Sequence, residues 1–149
     1  MKMLIQRVTK ASVSVRNQCV GEIEKGACIF LGVEQDDTEL ESRWLAQKLA
    51  TLRFFEDENG KMNRSLEDVH GQVLVISQFT LAANCLTGRR PSFTQAAPPE
   101  RAEFLYKNFI NHLTSLNLQV ATGIFRETMQ ISLVNDGPVT FLIEKKSNS

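Results

Sequence analysis

GQVLVISQFTLAA, Gly71 to Ala83, is the stretch on which the fold turns. Val73, Val75 and Ile76 give it a β-branched run, the mark of a buried strand. Helical patterns lie to either side. TELESRWLAQKLATL (38–52) opens with Thr38 and has Glu41 three residues on, a capping box, after which Leu40, Trp44, Leu45, Leu49 and Leu52 share one helical face, so this helix is expected to pack on a sheet. APPERAEFLYKNFINHLTSLN (97–117) is a second amphipathic segment, with Pro99 suited to the first turn and Leu105, Phe109, Leu113 and Leu116 turned inward.

Further out, residues 3–33 read as strands. Met3, Ile5 and Arg7 alternate with Leu4, Gln6 and Val8, Val13 and Val15 alternate with Ser12 and Ser14, and ACIFLGV (27–33) is a continuous apolar run. The end of the chain supplies strands near 129–134 and 139–144, then a polar tail. The expected class is α/β (α+β), with a largely antiparallel, barrel-like β core and two main helices. With 149 residues and 42% hydrophobic content, one domain over 1–149 is expected, its last residues, 145–149, a flexible tail.

Lys plus Arg and Asp plus Glu number 17 each, so no global positive field draws the chain to nucleic acid, and an RNA contact has to be local. Cys19, Cys28 and Cys85 form no Cys-x-x-Cys pair, and MKMLIQRVTK lacks the apolar core of a signal peptide, which points to the cytoplasm. No apolar run approaches the roughly 20 residues needed to span a bilayer.

His70, in a probable turn, and His112, on the polar side of the second helix, have no Cys or carboxylate partner at metal-ligand spacing, and no phosphate-binding glycine loop is present. Neither a metal nor a nucleotide cofactor is expected. A Gly-x-Ser-x-Gly elbow is also missing. SQFTL (77–81) offers Ser, Gln and Thr where a buried strand meets a loop, groups able to orient an ester carbonyl or donate into an oxyanion hole; an edge strand with its polar residues in water is the competing reading. NCLTGRRPSFTQ (84–95) is a long polar loop whose paired arginines suit phosphate, or simply water. SLVNDGPVTF (132–141) begins and ends as strand but carries Asn-Asp-Gly, a hairpin signal, followed by Pro138, which has no amide to return to a ladder. It presents the carbonyls of Gly137 and Pro138 on a stiff loop.

LIQRVTKASVSV, VISQFTLAA, RPSF and MQISLVNDGPVTF together resemble the D-aminoacyl-tRNA deacylases of the bacterial and eukaryotic type, over residues 1 to 144. Ser-Gln-Phe-Thr and Asn-x-Gly-Pro-Val-Thr stand without departure and in that family's order. The resemblance implies a homodimer that hydrolyses the ester between a D-amino acid, or glycine, and the 3′-terminal adenosine of tRNA. It implies that Ser77, Gln78, Phe79 and Thr80 surround the ester, that Phe125 and Met129 contact the terminal adenine, and that Arg7 braces the Gly-Pro loop. Gly137 and Pro138, joined by a cis bond, would enter the partner's pocket and accept hydrogen bonds from the substrate amine. Arg90, with Arg89 beside it, is the candidate for phosphate. A nucleic-acid-binding protein without catalysis, of the replication-origin type, is the alternative; an L-specific editor with a trans Gly-Pro loop comes last.

Overall fold

The computed structural model describes residues 1–147. Its strands are β1 (Lys2–Val15), β2 (Gln18–Ile23), β3 (Gly26–Gly32), β4 (Phe55–Glu56), β5 (Met62–Arg64), β6 (Gln72–Ser77), β7 (Gln119–Thr122) and β8 (Gln130–Glu144). Its helices are α1 (Glu39–Thr51), the single turn α2 (Leu66–Val69) and α3 (Pro99–Ser115).

One sheet runs β2-β1-β3-β6-β7, and β8 pairs with β1. β1 is antiparallel to β2, β3 and β8, while β3, β6 and β7 run parallel. Because β2 also lies against β7, the sheet curls nearly into a barrel. Alternation within β3 and β6 sorts side chains to two layers. Ala27, Ile29, Leu31, Val73 and Val75 face α1 and α3; Cys28, Leu74 and Ile76 face the barrel interior, with Val8, Val13 and Ile23.

The capping box at the start of α1 is formed: Glu41 Oε2 accepts from the Thr38 amide at 2.6 Å, and Thr38 Oγ1 accepts from the Leu40 amide at 3.2 Å. Of the face read from the sequence, Leu45 and Leu49 are buried and Leu52 packs against the core, but Leu40 and Trp44 are not part of it. Leu40 is 62% and Trp44 38% exposed, whereas Ser42, Leu45, Ala46, Leu49 and Ala50 are buried. Small side chains at 42, 46 and 50 let α3 approach, and the Ser42 hydroxyl bonds to Asn108 of α3. Trp44 instead packs beneath the ammonium groups of Lys48 and Lys145. On α3, Pro99 occupies the first turn, and Leu105, Phe109 and Leu113 are buried as expected.

Three further expectations change. The strand expected over 71–83 stops at Ser77, and Phe79–Ala82 is a 3-10 turn. The two terminal strands are one long strand, β8, both halves of which pair with β1, so Asn-Asp-Gly-Pro makes an irregularity in a continuous ladder and no hairpin. Of the expected flexible tail, Lys145 is tied by reciprocal backbone bonds to Met1, at 2.8 and 2.9 Å, while Asn148 and Ser149 lie outside the described residues. No helix among the described residues is long and apolar enough to cross a membrane.

Candidate active site

β3 and β6 end side by side, with Leu31 opposite Ser77. Beyond that point the chain turns over the sheet: the Gln78 amide donates to the Leu31 carbonyl at 2.8 Å, and the Leu81 amide to the Gln78 carbonyl at 3.2 Å. Gly32 makes room for this turn, since a Cβ there would stand 3.0 Å from the Gln78 carbonyl oxygen and 2.9 Å from Leu81 Cβ. Strand termination therefore presents Ser77, Gln78 and Phe79 on the wall of an open cavity of about 440 Å³. Its other walls include Phe125, Met129, Ile131 and Ile76, with Arg126 and Glu127 at hand. An apolar body with a few polar groups at one end is the form of a small-ligand site.

Thr80 does not line this cavity, but Gln78 Nε2 donates to Thr80 Oγ1 at 2.5 Å, which joins it to the group. Tyr106, which sequence reading passed over as a helix residue, packs its ring 5.7 Å from that of Phe125 and donates its hydroxyl to the Val75 carbonyl at 3.1 Å. Burial pushes its phenol up to about 12, against a smaller downward effect of the Thr122 side chain, so the donor keeps its proton through the neutral range. Tyr106→Phe is expected to cost about 1 kcal/mol, the net worth of one hydrogen bond, read as a lower urea midpoint.

Arg7, Gly137 and Pro138 form a separate cluster. None of them lines the cavity. Arg7, 5% exposed, donates through Nη1 to the Phe54 carbonyl at 2.9 Å and through Nε to the Asp136 carbonyl at 3.0 Å, and it pairs with the carboxylates of Asp136 and Glu56 at 3.2 and 3.7 Å. Asn135 ties the same segment from inside, its Nδ2 donating to the carbonyls of Arg7 at 2.9 Å and Val139 at 3.1 Å. Gly137 has to be glycine, because a Cβ would fall 2.5 Å from Asn135 Oδ1 and displace that anchored amide. The Gly137–Pro138 bond is cis, and both residues are exposed. Asn135 read as a turn residue in the sequence; its partner Arg7 is too distant along the chain to be signalled locally.

Arg90 and Arg89 sit on an exposed finger closed by two backbone bonds between Asn84 and Ser92, and neither lines the cavity. His70 adopts a left-handed conformation at the end of α2 and lines a different cavity, of about 490 Å³, with Glu67 and Gln119. Among the described residues no group of three His, Cys, Asp or Glu is placed to hold a metal ion. Burial pushes the Cys28 thiol up to about 12, so it supplies no thiolate.

A family model described as D-Tyr-tRNA(Tyr) deacylase matches residues 4–144. A D-aminoacyl-tRNA deacylase of Geobacter sulfurreducens is 52% identical over 149 residues, covering 100% of this chain and 98% of that protein. One from Thermotoga petrophila is 51% identical over 144 residues, covering 97% of each. Among solved structures, one described as c-Myc DNA Unwinding Element Binding Protein superposes with a TM-score of 0.92 at 39% identity, over 99% of this chain and 100% of that one. A probable eukaryotic D-amino acid tRNA deacylase shares the fold at a TM-score of 0.82 and 16% identity, over 95% and 97%. With a family model spanning nearly its whole length and full-length relatives at half identity, the chain belongs to the D-Tyr-tRNA(Tyr) deacylase family.

Proposed function

We propose that this protein hydrolyses the ester joining a D-amino acid, or glycine, to the 3′-terminal adenosine of tRNA, and so proofreads aminoacyl-tRNA in the cytosol. The cavity at the ends of β3 and β6 carries the reading, supported by family membership: it joins an apolar part fit for a purine, lined by Phe125 and Met129, to the polar groups of Ser77 and Gln78, with Thr80 bonded to Gln78. The adenine lies in the apolar part and the ester carbonyl faces the polar wall. Phe79 closes the outer side, and Arg90 meets backbone phosphate.

In one chain the braced Gly137-Pro138 segment stands away from this cavity, with its face open. A second copy brings it in. We infer a homodimer in which each Gly-Pro segment enters the partner's cavity and its carbonyls accept from the substrate's α-amino group. With amine and ester fixed, a D side chain or a hydrogen points outward, while an L side chain meets rigid backbone. Such exclusion reads configuration without reading the side chain.

D- and L-aminoacyl-tRNA of one acceptor, offered at equal concentration, test the reaction: the D ester is hydrolysed at least about a hundredfold faster, and equal rates overturn the reading. Light scattering at assay concentration tests the assembly, where a fully active monomer defeats the shared site. The likeness to the DNA unwinding element binding protein favours a second reading, DNA binding without hydrolysis. Equal numbers of acidic and basic residues argue against it, because a duplex binder needs a basic face and loses affinity steeply with salt.

A further inference from the structure

Phe79 is 54% exposed, and Phe93, which the cavity does not include, is 41% exposed. Their rings meet at 5.1 Å and 62°, edge against face. Phe93 follows Ser92, the residue that closes the exposed finger, so the aromatic surface runs without a break from the cavity rim to the finger. Arg89 and Arg90 project from that finger, and Arg126 stands at the cavity with its backbone held at φ 72°. Glu127, which follows Arg126 in the chain, pairs with Arg16 at 3.1 Å.

We propose that Phe79 and Phe93, with Arg89 and Arg90 on the finger that precedes Phe93 and Arg126 on the cavity wall beside Phe79, form a stacking surface for the unpaired nucleotides that immediately precede the terminal adenosine of the acceptor strand. The inference rests on the deacylase reading and extends its site along the RNA. The occupant follows from the chemistry. Aromatic faces flanked by arginines bind single-stranded nucleic acid, each base contributing a π-face and each linkage an anionic phosphate. An adenosine seated against Phe125 and Met129 has its 5′ linkage leaving the cavity, and the exposed ring pair lies at that cavity's rim. Stacking needs no reading of base edges, which suits an enzyme that serves many tRNAs.

The experiment compares kcat/KM on D-aminoacyl-tRNA with kcat/KM on D-aminoacyl-adenosine, which has no preceding nucleotides. Phe93→Ala is expected to lower the tRNA-to-adenosine ratio about tenfold, and Phe93→Trp to restore it. Arg89→Ala is expected to reduce the slope of log affinity for uncharged tRNA against log salt by about 0.7. Equal losses on both substrates overturn the proposal, as does unchanged binding of uncharged tRNA by Phe93→Ala. Dissociation of the Phe93→Ala protein into monomers also overturns it, showing that the surface faces a second copy. If the unaltered protein hydrolyses neither substrate, the deacylase reading fails by itself, and uncharged-tRNA binding by the same variants still decides the stacking surface.

Discussion

A D-aminoacyl-tRNA whose terminal ribose lacks its 2′-hydroxyl is expected to turn over at least about a hundredfold more slowly than the natural ester, whereas Thr80→Ala stays within about tenfold of the unaltered enzyme. Ser-Gln-Phe-Thr carries two hydroxyls, Ser77 on the cavity wall and Thr80 beside it, and Thr80 is the one weighed as nucleophile. Its hydrogen-bond partner is the side-chain amide of Gln78, a donor, which leaves the hydroxyl without a base to take its proton. The nearby Lys2 ammonium is directed to the Leu81 carbonyl at 3.3 Å. His70 lines a separate cavity. The substrate brings what the protein lacks: a vicinal hydroxyl already held against the scissile carbonyl, where positioning alone can contribute much of the barrier reduction. Single-turnover rates on the ribo and deoxy substrates measure it. Total inactivity of Thr80→Ala, together with a D-aminoacyl group trapped on Thr80, would return the threonine to the role of nucleophile.

Arg7→Ala is the second large effect. It removes a buried fork that holds the carbonyls of Phe54 and Asp136 together, and it is expected to cost about 3 kcal/mol, near 10 °C in Tm. The catalytic loss should exceed what unfolding explains. At a temperature where the variant is fully folded, turnover of the D ester is expected to fall about a hundredfold, because the Gly-Pro carbonyls are then free to move by an ångström or more. Arg7→Lys recovers little of this, since one ammonium cannot span two carbonyls in divergent directions. A folded Arg7→Ala protein with unaltered turnover and unaltered preference for D would separate the brace from the reaction.

What the sequence disclosed depended on range. The Thr38–Glu41 cap is local, and its chemistry was legible from two letters at the right spacing. Leu45 and Leu49 on the expected face of α1 are buried, but close approach of α3 selects the small residues Ser42, Ala46 and Ala50 and leaves the larger Leu40 and Trp44 outside the contact. β6 ended earlier than its β-rich letters suggested because the Gln78 and Leu81 amides bond back to Leu31 and Gln78 and close a turn. The residue types of the polar cavity wall were visible in SQFTL, but it takes the cavity to join Ser77 and Gln78 to Phe125 and Met129. The bond from Arg7 to Asp136 crosses 129 positions, and no local pattern carries such information; only resemblance had marked that arginine.

The irregularity in β8 has a phase. Between its pairing of Gln6 with Thr140 and of Lys10 with Val134, β1 advances four residues and β8 six. Across it β8 keeps its partners on β1 but changes layer: Ile131 and Leu133, opposite Val13 and Ala11, turn to the barrel interior, while Phe141 and Ile143, opposite Ile5 and Met3, turn to the helical layer. Excising one residue from 135–139 would rotate everything from Thr140 onward by half a pleat, carrying Phe141 and Ile143 into water. Excising two would keep Phe141 and Ile143 opposite Ile5 and Met3 and discard the carbonyl pair. Chain length therefore protects this segment differently from chemistry: a single deletion is a folding lesion, while a double deletion preserves the pairing of Phe141 and Ile143 and removes the exposed carbonyls.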